Sequence, residues 1–296
     1  YVKLSPPPDK KIDYIIVNGA ECEPYLTSDD RVMIEETNRI IMGLKVVLSL
    51  FPDAKGIIGI ESNKPEAISL LSDAVLGSEN IKIAVLKPKY PQGAEKQLIY
   101  SITKRKVPTT GLPADVGCIV LNIDTVVAIH RAIYRGRPLM RRIVTVSGGA
   151  LNNPDNIKVR IGMSYREVIE AAGGFKEEPA MVISGGPMMG VAMYNLDVPI
   201  VKATSSILCL TKDEIYEEEE QACIKCGKCV SICPMNLLPN ELNKFSIHEE
   251  EENFKKYKGM ACIECGSCSY ICPSNRYLLQ SIRTTRRTLM AKGRKK

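Results

Sequence analysis

Eight cysteines stand at spacings suited to an inorganic cluster. Cys223, Cys226 and Cys229 follow one another at two-residue gaps, with Cys233 just before Pro234. The pattern returns thirty-nine residues later as Cys262, Cys265, Cys268 and Cys272 before Pro273. Three thiolates so spaced wrap one iron–sulfur cube, and the fourth, ahead of a proline that turns the chain away, reaches across to the other cube. The spacing therefore assigns one 4Fe–4S cluster to Cys223, Cys226, Cys229 and Cys272, and a second to Cys262, Cys265, Cys268 and Cys233. Gly227 and Gly266 sit between ligands, where the backbone must curl tightly and aim amides at cluster sulfurs. Zinc uses paired Cys-x-x-Cys or Cys/His knuckles, and a disulfide framework belongs to short secreted chains. A four-cysteine run ending in proline and repeated fits neither.

A second group of residues carries carboxylates and amides. It falls in three turns: Asn18, Glu21, Cys22 and Glu23 before Pro24; Tyr90, Gly93 and Glu95; Asn122, Asp124 and Thr125. Singly, each turn reads as a surface loop. What must position them is an alternation of short apolar strands (14–17, 56–61, 81–86, 117–121) with helices (32–50, from Pro65, to about 104, 124–134). That alternation predicts a parallel α/β sheet covered on both faces. All three turns follow strands, so they share the carboxyl edge where such sheets bind ligands, in one cleft. No G-x-G-x-x-G follows any strand, which excludes an ordinary dinucleotide fingerprint.

From Pro138 the texture changes to short strands, glycine pairs and a brief helix opened by a capping box at Ser164 and Glu167 and closed at Gly173. This predicts a small ubiquitin-like module that ends near a glycine-rich turn, 185–190, read as a tight turn with Met188 and Met189 in the core, with a cofactor contact as the alternative. Beyond it the chain reads as helical: a second capping box at Thr211 and Glu214, a helix opened by Pro239, and a last helix capped by Ser274. The expected domains are 1–137, 138–203 and 204–296. His130 and His248 stand without ligand-spaced neighbours and read as structural, and Cys118 and Cys209 read as buried hydrophobes.

The chain has 296 residues, 45% of them hydrophobic, and a formal charge of +6. Arg283, Arg286, Arg287, Lys292, Arg294, Lys295 and Lys296 supply that excess, so the charge is one C-terminal patch, a solvated helix end or a dock for an acidic or anionic surface. With few aromatics beside it, nucleic acid is excluded as a partner. No stretch is long and apolar enough for a transmembrane segment. Oxygen-sensitive clusters predict a reducing compartment, the cytoplasm or the cytoplasmic face of a membrane.

With the acidic turn and the cysteine repeat together, the chain resembles the C-subunit of the Rnf-type ferredoxin:NAD oxidoreductase, and its first domain is similar to the NADH-binding flavoprotein subunit of complex I. The resemblance spans essentially all residues. It implies an FMN/NADH-binding α/β domain, an SLBB ubiquitin-like β-grasp module and a helical two-cluster ferredoxin domain. It implies that Lys3, Asn18, Glu21, Tyr90, Gly93, Glu95, Asn122, Asp124 and Thr125 bind cofactor, with Glu23 and Glu21 beside the nicotinamide. The family's glycine-rich flavin loop precedes the position of Tyr1, so the chain reads as part of a longer protein, and Ala20 replaces an acid of the complex I branch. The implied activity joins hydride exchange with NAD(H) at FMN to single-electron transfer through two 4Fe–4S clusters. The implied setting is the cytoplasmic face of the cell membrane, with other subunits of a membrane redox complex and a ferredoxin-like electron partner. A corrinoid reductase of diol utilisation resembles the same family, and a non-catalytic iron–sulfur scaffold is the alternative outside enzymology.

Overall fold

The computed structural model describes residues 2–109, 111–216 and 218–294, with only the backbone of Arg294. Glu217, the first of four glutamates that precede the first cysteine run, and Lys295 and Lys296 of the C-terminal basic patch lie outside the described residues. The chain divides into two compact units, Tyr1–Ile215 and Tyr216–Lys296.

In the first unit, β1 (Tyr14–Gly19), β2 (Lys55–Glu61), β3 (Ile81–Leu86) and β4 (Cys118–Asn122) form a parallel sheet in the order β3-β2-β1-β4. The central strands are nearly continuous apolar runs because both faces are covered. Ile15 and Val17 face one core with Leu44 and Val126, while Ile16 and Val120 face another with Leu98. Each such side chain, fully buried, contributes about 1.5–3 kcal/mol. The chain builds β1, β2 and β3 outward and then returns to lay β4 on the other side of β1. Strand order therefore reverses between β1 and β4, and a crevice opens at their carboxyl ends. Asn18 and Asn122 are register partners at that edge.

Helices α1 (Ser28–Glu35), α2 (Thr37–Ser49), α3 (Pro65–Ala74), α4 (Glu95–Thr103) and α5 (Ile123–Arg135) cover the sheet. The single helix expected over 32–50 is two, broken at Glu36. The Thr37 hydroxyl donates to the Met33 carbonyl at 2.7 Å, and Glu36 is drawn aside to Arg131 at 2.7 Å and to Arg39.

The second sheet of this unit has the order β6-β5-β9-β7-β8, built from β5 (Arg141–Ser147), β6 (Asp155–Arg160), β7 (Met181–Ser184), β8 (Val191–Met193) and β9 (Ser206–Leu210) around α6 (Tyr165–Ala171). Parallel pairing of β5 with β9 between two antiparallel edges is the expected β-grasp. The capping box at Ser164 forms, with Glu167 accepting the Ser164 amide at 2.6 Å. The boundary expected at 203/204 cuts before β9, yet β9 is the buried central strand that joins β5 to β7. The sheet of the module therefore includes β9, through Leu210. Cys118 and Cys209 are fully buried in β4 and β9.

The second unit holds α7 (Lys228–Ser231), α8 (Pro239–Ile247), α9 (Glu251–Lys256), α10 (Ser267–Tyr270) and α11 (Leu278–Arg294) around Leu242, Phe245, Phe254, Ile282 and Leu289. Ser274 does not cap α11, which starts four residues later. It is buried instead, and its carbonyl accepts the Gln221 amide at 2.9 Å. The basic tail is not a uniform solvated end either. Arg283 pairs with Glu264 at 2.9 Å, Arg286 pairs with the same carboxylate, and Lys292 pairs with Glu251 at 2.6 Å.

Candidate functional site

The crevice at the β1/β4 edge gathers most of the residues singled out in the first domain. Asn18 leaves β1 and donates from Nδ2 to the Gly93 carbonyl at 2.8 Å, while its Oδ1 accepts the Ala20 amide at 3.1 Å. The Gly93 amide in turn meets Cys22 Sγ at 3.3 Å. A Cβ on Gly93 would lie 2.4 Å from the Ala20 carbonyl oxygen, so only glycine lets the 90–95 turn close on the 18–24 turn. Lys3 reaches the same edge, with Nζ 2.9 Å from the Val120 carbonyl and 2.5 Å from Glu95. Burial pushes the Cys22 thiol up to about 11, so it stays a thiol at neutral pH.

Beside this lies a nest of carboxylates. Glu21 accepts the amides of Asp29 at 2.8 Å and Asp30 at 3.3 Å, capping α1 from outside its own sequence, and faces Lys64 at 3.6 Å. Burial raises the Glu21 pKa. Burial first, and the Glu21 charge second, push the Asp29 carboxyl up to about 7. Asn122 donates to Asp29 at 2.8 Å and accepts the Asp124 amide at 2.9 Å as the cap of α5. Asp124 is buried 3.8 Å from Arg142 and its pKa is raised, again by burial. Thr125 is exposed on the first turn of α5.

Glu23 is held differently from its expected place against a free ligand position. Its carboxylate accepts the amides of Met188 at 3.1 Å and Met189 at 2.9 Å, and Tyr90 Oη lies 3.5 Å away. The 185–190 turn is thus a carboxylate cradle. Its methionines are not core residues, Met188 being half-buried and Met189 exposed. A Cβ on Gly186 would lie 2.2 Å from Glu23 Oε2. Burial raises the Glu23 pKa against the pull of those amides. Sequence reasoning missed Asp29 and Glu61, the latter buried at the end of β2 with the Lys89 amide at 3.3 Å. Asp29 escapes a reading that starts its helix at Val32, because the cap that begins α1 comes from Glu21.

In the second unit the two cysteine runs fold alike. Lys225 and Glu264 have φ of 56°, Gly227 and Gly266 of 75° and 79°, and Asn236 and Asn275 of 52° and 50°. Each run continues from its left-handed glycine into α7 or α10, which lifts the third cysteine toward the first two. One cavity of about 700 Å³ is lined by Cys223, Cys226, Cys229 and Cys272, with His248 on its wall. A second is lined by Cys233, Cys262, Cys265 and Cys268. Each cavity takes three cysteines from one run and the proline-preceding cysteine of the other. Among the described residues no three His, Cys, Asp or Glu side chains converge on a single-ion position, the geometry zinc would need. Four thiolates spread around a cavity fit a polynuclear cluster.

Comparison with known proteins agrees with this layout. The Nuo51 FMN-binding domain family matches residues 1–131, the SLBB domain family residues 143–192 and the 4Fe-4S dicluster domain family residues 212–277. The C-subunit of the Na(+)-translocating ferredoxin:NAD(+) oxidoreductase complex of Acetobacterium woodii is 46% identical over 100% of this chain and 67% of its own length. The chain belongs to the C-subunit family of ion-translocating ferredoxin:NAD(+) oxidoreductase complexes. The proton-translocating counterpart of Clostridium ljungdahlii is 51% identical over 82% of this chain and 53% of its own length. The C-subunit of the ion-translocating oxidoreductase complex of Yersinia enterocolitica is 44% identical over 82% of this chain and 35% of its own length. The chain thus spans between a third and two thirds of the relatives it matches. These names do not favour the corrinoid reductase. Among solved structures, a chain of the NAD+-reducing NiFe hydrogenase in the air-oxidized state shares the fold, with a TM-score of 0.60 at 16% identity over 98% of this chain and 56% of that one.

Proposed function

We propose that this chain is the peripheral electron-transfer subunit of a membrane ferredoxin:NAD oxidoreductase, exchanging hydride with NAD(H) at FMN and single electrons through two 4Fe–4S clusters. The observation that carries the reading is the pair of four-cysteine cavities with crossed ligand sets, in a chain whose first domain matches an FMN-binding family. Cys223, Cys226, Cys229 and Cys272 would hold one cluster, and Cys262, Cys265, Cys268 and Cys233 the other. Bound FMN would supply the conversion between a two-electron hydride and single electrons.

The chain's own residues do the positioning. Lys3 offers a cation, Asn18, Asn122 and Thr125 offer neutral donors and acceptors, and Glu95 an acceptor, a polar complement to a ribityl phosphate. Tyr90, Gly93 and Asp124 shape that edge. Glu21 has its oxygens engaged by α1 amides and acts as a positioning residue, fixing α1 against the crevice. Glu23, oriented by the 185–190 turn, would accept from a nicotinamide carboxamide, and a fixed acceptor would hold that ring in one orientation. No helix among the described residues is long and apolar enough to cross a membrane. The setting would be the cytoplasmic face of a membrane, among other subunits of the complex and with a ferredoxin-like protein as electron partner.

The full-length protein, purified without oxygen, should carry flavin and two clusters' worth of iron, and its yellow absorbance should bleach on adding NADH. Full iron content with no flavin and no response to NADH would support the scaffold alternative instead.

A further inference from the structure

The two cysteine runs are the same backbone motif in opposite surroundings. At equivalent positions Ala222, Cys226, Gly227 and Lys228 are exposed, whereas Ala261, Cys265, Gly266 and Ser267 are buried. The residue that divides the two environments is the second of the two between the first two cysteines. In the second run it is Glu264, whose carboxylate is gripped by Arg283 and Arg286 of α11, so that helix is clamped over the run. In the first run it is Lys225, with the same left-handed φ and no ion pair among the described residues. There the helix on the cavity wall is α8, through Asn240, Glu241, Lys244 and Ile247, and among the described residues no arginine clamps Lys225. Nothing in the fold of the run requires a lysine, since glutamate occupies the equivalent conformation thirty-nine residues later.

The opening this leaves has the character of a docking rim. Ile224 is 67% exposed and Ile247 55%, and both line the first cavity with Lys225 and Lys244. Glu241 accepts from Asn240 Nδ2 at 3.0 Å, and Glu220 faces Arg276 at 3.2 Å. Among the described residues Lys225 and Lys244 have no ion pair, and with Arg276 they outnumber Glu241, the one acid on the cavity wall, around an apolar centre. Core apolar contact with a charged rim is what redox encounters use, because the rim steers the approach and the small dry centre brings the centres close without tight binding.

We propose that the site of Cys223, Cys226, Cys229 and Cys272 is the port through which this chain exchanges electrons with a second protein, a one-electron carrier with an acidic rim that docks on Ile224, Ile247, Lys225 and Lys244. One electron leaves the partner's centre and one arrives at the port, so the exchange balances without a proton or further reductant. The proposal rests on the two-cluster reading above.

Two measurements on the full-length protein test it. The anionic chelate chromium(III) tris-oxalate should speed the EPR relaxation of one cluster, the one whose signal is lost in Cys226→Ser, and leave the cluster lost in Cys265→Ser unaffected. Equal effects on both, or an effect on the second alone, would overturn the port assignment. A Lys225→Glu, Lys244→Glu variant, which leaves the cysteines untouched, should keep its iron and bind an acidic two-cluster ferredoxin about tenfold more weakly at low salt, with the difference shrinking as salt is added. Unchanged affinity would overturn the docking surface. Iron for fewer than two clusters in the unaltered protein would contradict the cluster reading itself rather than the choice of port.

Discussion

The backbone amide of Met189 donates to the carboxylate of Glu23 across 2.9 Å, joining the turn of the β-grasp module to the acidic turn of the flavin-type domain. The contact fixes a carboxylate that would otherwise swing at the end of a surface loop. Replacing Glu23 with Gln keeps the side-chain length and one acceptor oxygen but loses the charge. Glu23→Gln should slow flavin reduction by NADH about 10 to 100-fold while flavin and iron contents stay normal. Stopped-flow absorbance reads this directly. An unchanged rate would remove Glu23 from the reaction, and loss of FMN would move it to cofactor binding.

Gly93 is the closest approach between two turns that the proposed flavin crevice needs together. Gly93→Ala places a methyl against the Ala20 carbonyl, which should cost about 1–3 kcal/mol through forced separation of the turns. Flavin affinity should fall with stability, while the clusters in the other unit keep their EPR signals. A variant with normal flavin content and unfolding midpoint would show that the turns need not touch.

Asp29 gives a pH signature. Its carboxyl titrates near 7 in the folded chain against an ordinary value of 3.8. A raised folded pKa means the native state holds a proton that the unfolded chain releases, so this contribution is complete below 3.8 and is lost as pH rises to about 7. Asp29→Asn mimics the protonated form. Relative to the unaltered protein, the variant should gain stability between pH 5 and pH 8.5, read as a widening gap between urea midpoints. A gap that narrows with pH would mean the Asn122 hydrogen bond outweighs the cost of burying the charge.

Crossed ligation predicts an asymmetric response to one substitution. Cys272 lies in the second run yet lines the first cavity. Cys272→Ser should therefore perturb the cluster of Cys223, Cys226 and Cys229 and spare the other. EPR with iron counting distinguishes this from damage to the second cluster.

Much of this was legible in the sequence because its physics is local. Short apolar strands alternating with helices and a Ser164 capping box are each decided by neighbouring residues, and the structure bears them out. The boundary at 203/204 failed because β9 joins its sheet through pairing with β5, some sixty residues earlier, which no local pattern announces. The break at Glu36 depends on Arg131 from α5, and the cradle for Glu23 depends on amides that sequence reasoning placed in a core turn. Long-range polar contacts of this kind carry no periodic signal. The contrast between Lys225 and Glu264 was visible as two letters, but its meaning needed α11 in place.

The central claim is that hydride and single electrons interconvert within this one polypeptide. The direct measurement begins with the full-length protein, its clusters reduced photochemically under argon and the reductant removed, and then adds NAD+. The expected result is that absorbance at the NADH wavelength rises while the EPR signals of both reduced clusters disappear, about two cluster electrons per NADH formed. Clusters that stay reduced in the presence of NAD+ and bound flavin, with no NADH produced, would contradict it.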